Sequence, residues 1–132
     1  MLSKWGCDVR QRVLIVEDHE DNRAILRDLL TNAGYDLIEA TNGEEGVALA
    51  ESTRPDLIIM DVQLPVIDGY EATRRIKSNA ELKAIPVIAV TSYALSGEEA
   101  RAKAVGCDAY VAKPFSPRQI LAKIRKYLAD GF

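Results

Sequence analysis

Five polar residues stand directly behind apolar runs, and their side chains are of complementary kinds. Glu17 and Asp18 follow the run 13–16, Asp61 follows 57–60, Thr91 follows 87–90 and Lys113 follows 109–112. Gathered in one place they amount to three carboxylates, a hydroxyl and an ammonium. Three carboxylates held close repel one another strongly, and a hard cation relieves that repulsion. Mg²⁺ suits such a set, because it takes a few carboxylates and keeps waters and phosphate oxygens as its other ligands. Lys113 can pair with Asp61 and then with a phosphoryl oxygen, and Thr91 can donate a hydrogen bond to the same group. A carboxylate nucleophile with a metal and a lysine beside it is equipped for phosphoryl transfer through an aspartyl-phosphate. The protein's part in that chemistry is positioning and charge neutralisation.

Singly, each of these residues has a plainer explanation. An aspartate behind a strand is commonly a turn or cap residue, Glu17 and Asp18 can be two loop acids, and Lys113 can be an exposed lysine before the rigid Pro114. Agreement among four strand ends favours the chemical explanation. A general acid/base pair fits less well, because no second group is placed to activate a sugar or a water, and the single histidine, His19, adjoins the acidic pair. Phosphatases with an aspartyl nucleophile carry a second aspartate two residues on as general acid, where this chain has Gln63. A nucleotide or flavin binder calls for a Gly-rich phosphate loop after the first strand, and 17–20 supplies none.

The elements that must position these residues follow from the spacing of the apolar side chains. After the first run, Ile25, Leu26, Leu29, Leu30 and Ala33 recur at helical intervals, with Gly34 at the stop. A weaker strand spans 36–40, residues 41–43 form a plain turn, and a helix over 44–52 turns Val47, Ala48 and Ala50 inward. Behind the third run a loop holds Pro65 and Gly69, and a helix continues through Ala72, Thr73 and Ile76. A helix over 97–105 ends at Gly106. Ser116 and Pro117 open the last helix as N-cap and first helical residue, with Ile120, Leu121, Ile124 and Leu128 on one face. These are five β–α units. Runs that are apolar throughout belong to strands buried on both faces, which calls for a parallel sheet with helices on both sides. The expected fold is therefore α/β, a doubly wound five-stranded parallel sheet with five helices. The common strand order for such a sheet is 2-1-3-4-5, and its ligand site lies beyond the carboxyl ends of the strands.

The 132 residues suit one domain, with a leader over 1–11, a domain over 12–129 and a tail over 130–132. A net charge of −3 carries no basic footprint, so direct nucleic-acid binding is not expected. No apolar run approaches the length of a membrane span, the leader lacks a signal-peptide core, and a cytoplasmic location is expected. Cys7 and Cys107 show no paired spacing and are expected to be free thiols.

Four stretches resemble the response-regulator receiver domains of two-component signalling: VLIVEDHEDNR (13–23), DLIIMDVQLPVIDGYE (56–71), PVIAVTSYA (86–94) and GCDAYVAKPF (106–115). The likeness covers 12 to about 129, with family-like spacings of 43 residues from Asp18 to Asp61, 30 to Thr91 and 22 to Lys113. It implies a flavodoxin-like receiver in which Asp61 is the phosphoacceptor. Asp18 is then a direct Mg²⁺ ligand, Glu17 acts on the metal through water, and the Gln63 backbone carbonyl completes the protein's ligands. Thr91 becomes the switch hydroxyl, Lys113 the phosphate-binding lysine and Tyr110 the aromatic switch. The implied partners are a histidine kinase or histidine phosphotransfer protein, and an effector that reads the face of the fourth helix, fifth strand and fifth helix. The implied activity is acceptance of phosphate with slow self-dephosphorylation rather than enzymatic turnover, Tyr93 shielding the bound phosphate from water. His19 stands where a different polar residue is more usual, and a solvated loop histidine is expected. Ala109, Gln119 and Lys123 depart from the residues of salt-bridged receiver dimers, so a monomer or weak dimer is expected. With no output domain in view, the chain resembles a stand-alone receiver, and a receiver excised from a hybrid kinase would look the same.

Overall fold

The computed structural model describes residues 11–92 and 97–128. Residues 1–10 of the leader, with Trp5 and Cys7, as well as Tyr93 and the tail, lie outside the described residues. Five β–α units run in order: β1 (Arg12–Val16), α1 (Glu20–Asn32), β2 (Asp36–Ala40), α2 (Gly43–Thr53), β3 (Leu57–Asp61), α3 (Gly69–Ser78), β4 (Val87–Thr91), α4 (Glu98–Ala104), β5 (Ala109–Ala112) and α5 (Pro117–Tyr127). All strand pairs are parallel, and the sheet order is β2-β1-β3-β4-β5.

Alternation along the strands feeds two cores, one on each face of the sheet. Leu14, Val16, Ile58 and Met60 pack on one side with Ala50, Ala72 and Ile76 from α2 and α3. Val13, Ile15, Leu57 and Ile59 pack on the other with Leu26, Leu30, Ile120 and Ile124 from α1 and α5. The three central strands, β1, β3 and β4, are thus sealed on both faces, as their apolar composition requires, while the edge strands β2 and β5 are only partly buried.

The register sets the site. Val16 pairs with Met60, Asp61 with Val90 and Thr91 with Ala112. Glu17 and Asp61 therefore emerge at one level of the sheet edge, with Thr91 one residue and Lys113 two residues further along.

Several helix details depart from the periodicity. Ile25 is 59% exposed, because Leu26 and Leu30 already occupy the inward stripe of α1 and residue 25 lies a third of a turn away. Ala48 is exposed, and Gly43, Gly46 and Ala50 are the buried residues of α2. The expected turn at 41–43 is the start of that helix: the Asn42 side chain caps it by accepting from the Glu45 N–H at 2.8 Å. A Cβ at Gly43 would meet the Ile67 carbonyl oxygen at 2.4 Å, so only glycine lets α2 approach the loop there. Helix α4 spans Glu98–Ala104, with the expected end residues Gly97 and Val105 as its caps. Gly34 adopts φ +97 where α1 stops. Ser116 and Gln119 form a reciprocal capping box with Pro117 at the first turn of α5.

Candidate functional site

Lys113 is the hub of the site. The Lys113–Pro114 peptide bond is cis, and the lysine Nζ donates to Glu17 Oε1 at 3.1 Å and to Asp61 Oδ2 at 3.4 Å. Both carboxylate side chains are only 4% exposed. The Gln63 N–H donates to the other oxygen of Asp61, Oδ1, at 3.2 Å, and the His19 N–H donates to Glu17 Oε2 at 3.0 Å. Two buried carboxylates thus share one ammonium.

Their electrostatics separate them. Burial pushes Asp61 up, the neighbouring Glu17 charge adds to this, and Lys113 only partly offsets both, leaving it at about 6. Burial would also raise Glu17, but the His19 N–H and Lys113 outweigh it and hold Glu17 below the usual carboxylate range. Lys113 loses hydration, yet Asp61 and Glu17 together raise its pKa and keep it charged.

Asp18 offers an oxygen suited to a cation. Its Oδ1 is buried and makes no hydrogen bond, although His19 Nδ1 lies 3.2 Å away. A buried carboxylate oxygen without a donor is costly unless something positive binds it. Ligand atoms of Glu17, Asp18 and His19 lie within 4.8 Å of one another, a spacing that suits a metal ion. Asp61 is not in that group and is joined to it through Glu17 and Lys113. The donor set is oxygen-rich and anionic, which fits Mg²⁺. His19 is 70% exposed at the side chain and still touches both acids, so it is solvated on one side only.

Two supports had no signature in the spacing. The Arg23 guanidinium donates to the Glu17 backbone carbonyl at 3.0 Å and forms ion pairs with Glu20 and Glu39, pinning the chain where the acidic pair begins. Gln63, expected to matter through its backbone, also uses its side chain: Nε2 donates to Thr91 Oγ1 at 3.0 Å, and Oε1 accepts from the Ser92 N–H at 3.2 Å. Thr91 is fully buried. Tyr110 is half-buried and packs on the α2–α3 side of the sheet. Nearby, the Tyr70 hydroxyl donates to Glu98 Oε1 at 2.5 Å and the Arg101 guanidinium sits 4.5 Å from the Tyr70 ring centre, tying α3 to α4. Cys107 is a free, buried thiol. Beside Asp61 a cleft of about 470 Å³ opens between α1 and the start of α5, with Ile25, Pro114 and Phe115 on its wall.

A parallel sheet with this order and an acidic pair, aspartate, threonine and lysine at its carboxyl edge defines a receiver. The chain belongs to the response regulator receiver domain family, whose pattern matches residues 13–125, and it is a phosphoacceptor of two-component signalling. It is 48% identical over 119 residues to the polar-differentiation response regulator DivK of Brucella anthropi, covering 90% of this chain and 97% of that one. Among solved structures it resembles the receiver domain of the sensor histidine kinase PA1611 from Pseudomonas aeruginosa, which holds a magnesium ion in its active-site cleft. That match has a TM-score of 0.86 and 34% identity, over 92% of this chain and all of that one. It also resembles a chain in the co-crystal structure of the Saccharomyces cerevisiae phosphotransfer protein Ypd1 with the receiver domain of Ssk1. There the TM-score is 0.83 and the identity 30%, over 89% and 88% of the two chains. Among the described residues no helix is long and apolar enough to cross a membrane.

Proposed function

We propose that Asp61 is the residue that accepts the phosphoryl group, and that its donor is the phosphohistidine of a kinase or phosphotransfer protein. The observation that carries this is the shared contact of Lys113 with Glu17 and Asp61 beside the buried Asp18 Oδ1, which makes no hydrogen bond. An Asp61 oxygen attacks phosphorus, the P–N bond breaks, and its electron pair leaves with the imidazole. Lys113 then exchanges part of its contact with Asp61 for a phosphoryl oxygen. Asp18, Asp61 and the Gln63 backbone carbonyl would hold Mg²⁺, with Glu17 acting through water, and the ion supplies charge neutralisation for the transferring group. Phosphorylation adds nearly two negative charges at Asp61. Thr91 swings toward them, Tyr110 turns into the space released, and an effector that prefers the altered face of α4, β5 and α5 shifts the population. The protein acts as a cytoplasmic relay or adaptor rather than an enzyme with turnover, its receiver unit spanning residues 12–129.

Incubation with Mg²⁺ and a small phosphodonor, followed by intact mass, tests the assignment. Wild type is expected to gain the mass of one phosphoryl group, and Asp61→Ala to gain none. An equal gain on both proteins contradicts it.

A further inference from the structure

The side chain of Gln63 occupies the switch hydroxyl before any phosphate arrives. Its orientation is fixed by chemistry. The Ser92 N–H can only donate, so the oxygen of the Gln63 amide must face it, at 3.2 Å. The amide nitrogen is thereby turned to Thr91 Oγ1, at 3.0 Å. The backbone N–H of the same residue lies on Asp61 Oδ1 at 3.2 Å. One residue therefore connects the acceptor carboxylate on β3 to the hydroxyl and the following amide on β4. Thr91 is fully buried, so a bond lost there is not replaced by bulk water.

We infer that Gln63 is a positioning residue that latches Thr91 in its resting rotamer, and that the ease of breaking this latch sets how readily the protein adopts its phosphorylated conformation. The inference rests on Asp61 being the phosphoacceptor. A threonine hydroxyl occupies one of a few staggered χ1 wells. Oγ1 cannot remain 3.0 Å from Gln63 Nε2 and also follow a phosphoryl group from a different well. Activation must break the bond to Nε2, and the Ser92 N–H must keep or replace its acceptor. The latch weights the resting state against the active one, and a ligand for the active state is weakened by the same factor. Removing a net hydrogen bond of ordinary strength changes such a ratio about two- to tenfold.

Beryllium trifluoride with Mg²⁺ serves as a phosphoryl mimic, and NMR titration reads both its affinity and the amide shifts of Thr91 and Ser92. Gln63→Met keeps the length of the side chain and removes both bonds, and Gln63→Ala removes the side chain altogether. In either variant the mimic should bind about two- to tenfold more tightly than to wild type. In the free variants, the Thr91 and Ser92 amides should already move toward their bound positions. Weaker or unchanged binding in both variants overturns the latch, and weaker binding would instead mark the Gln63 amide as a phosphoryl ligand. Wild type that fails to bind the mimic, or Asp61→Ala that binds it equally well, overturns the phosphoacceptor assignment and the latch with it.

Discussion

Asp61 is expensive to keep ionised where it stands. Burial and Glu17 raise its pKa to about 6, above the ordinary 3.8. A folded-state value above the unfolded one means that the folded chain binds this proton more tightly. The stabilising contribution is therefore complete below about pH 4 and is lost as pH rises through about 6. In metal-free protein, Asp61→Asn should be more stable than wild type near neutral pH, by about 3 kcal/mol. The gap should close on acidification toward about pH 4, as followed by urea denaturation across that range. Such a trade is expected of a group selected for reactivity. Glu17, Asp18, Asp61, Thr91 and Lys113 were legible in the sequence because each directly follows an apolar run and the sheet rule sends such residues to one edge. The side-chain bonds of Gln63 and Arg23 were not, because they depend on rotamers that only the assembled loops define. The exposed flank of His19 was legible, but its contacts with both acids were not.

At the scale of elements, the β3–α3 loop carries the tightest fit and the clearest strain. A Cβ at Gly69 would stand 2.1 Å from the Asp61 carbonyl oxygen and 2.8 Å from Val62 Cα. The start of α3 thus lies directly on the backbone of Asp61, the proposed acceptor. Gly69→Ala should destabilise the protein by about 1–3 kcal/mol and displace Asp61, measurable as a lower denaturation midpoint and slower phosphorylation. Three residues earlier, Val66 adopts φ +73 and is 73% exposed, a conformation that a β-branched residue tolerates poorly. Val66→Asn should therefore stabilise by about 0.5–1 kcal/mol, with the opposite outcome to Gly69→Ala in the same assay. The five strands and the stops at Gly34 and Gly106 were evident from apolar runs and glycine placement. Ile25 shares the helical spacing of Leu26 and Leu30 and is nonetheless exposed, since five apolar residues in one helix do not reveal which are the innermost. Asn42 resembled a turn residue because capping and turning draw on the same side chains.

Across the whole molecule, the two cores hold the sheet as a rigid plate while the chemistry sits at one edge. Activation as proposed needs only local movements: Lys113 shifts its contacts, Thr91 leaves Gln63, and Tyr110 follows. The Tyr70–Glu98 bond and the Arg101 cation on the Tyr70 ring tie α4 to α3, close to the surface that an effector would read. The strand order followed from the parallel pattern and the commonest topology, and the family from four ordered motifs. The partner that loads the site leaves no comparable trace in a single chain, because recognition depends on another protein's surface. The most direct test of the account is to treat the protein with Mg²⁺ and a small phosphodonor, reduce it with borohydride, and map the product by peptide mass spectrometry. Reduction converts an aspartyl-phosphate to homoserine. The account predicts homoserine at position 61, lost when Mg²⁺ is chelated; homoserine at position 18 instead, or at no position, would contradict it.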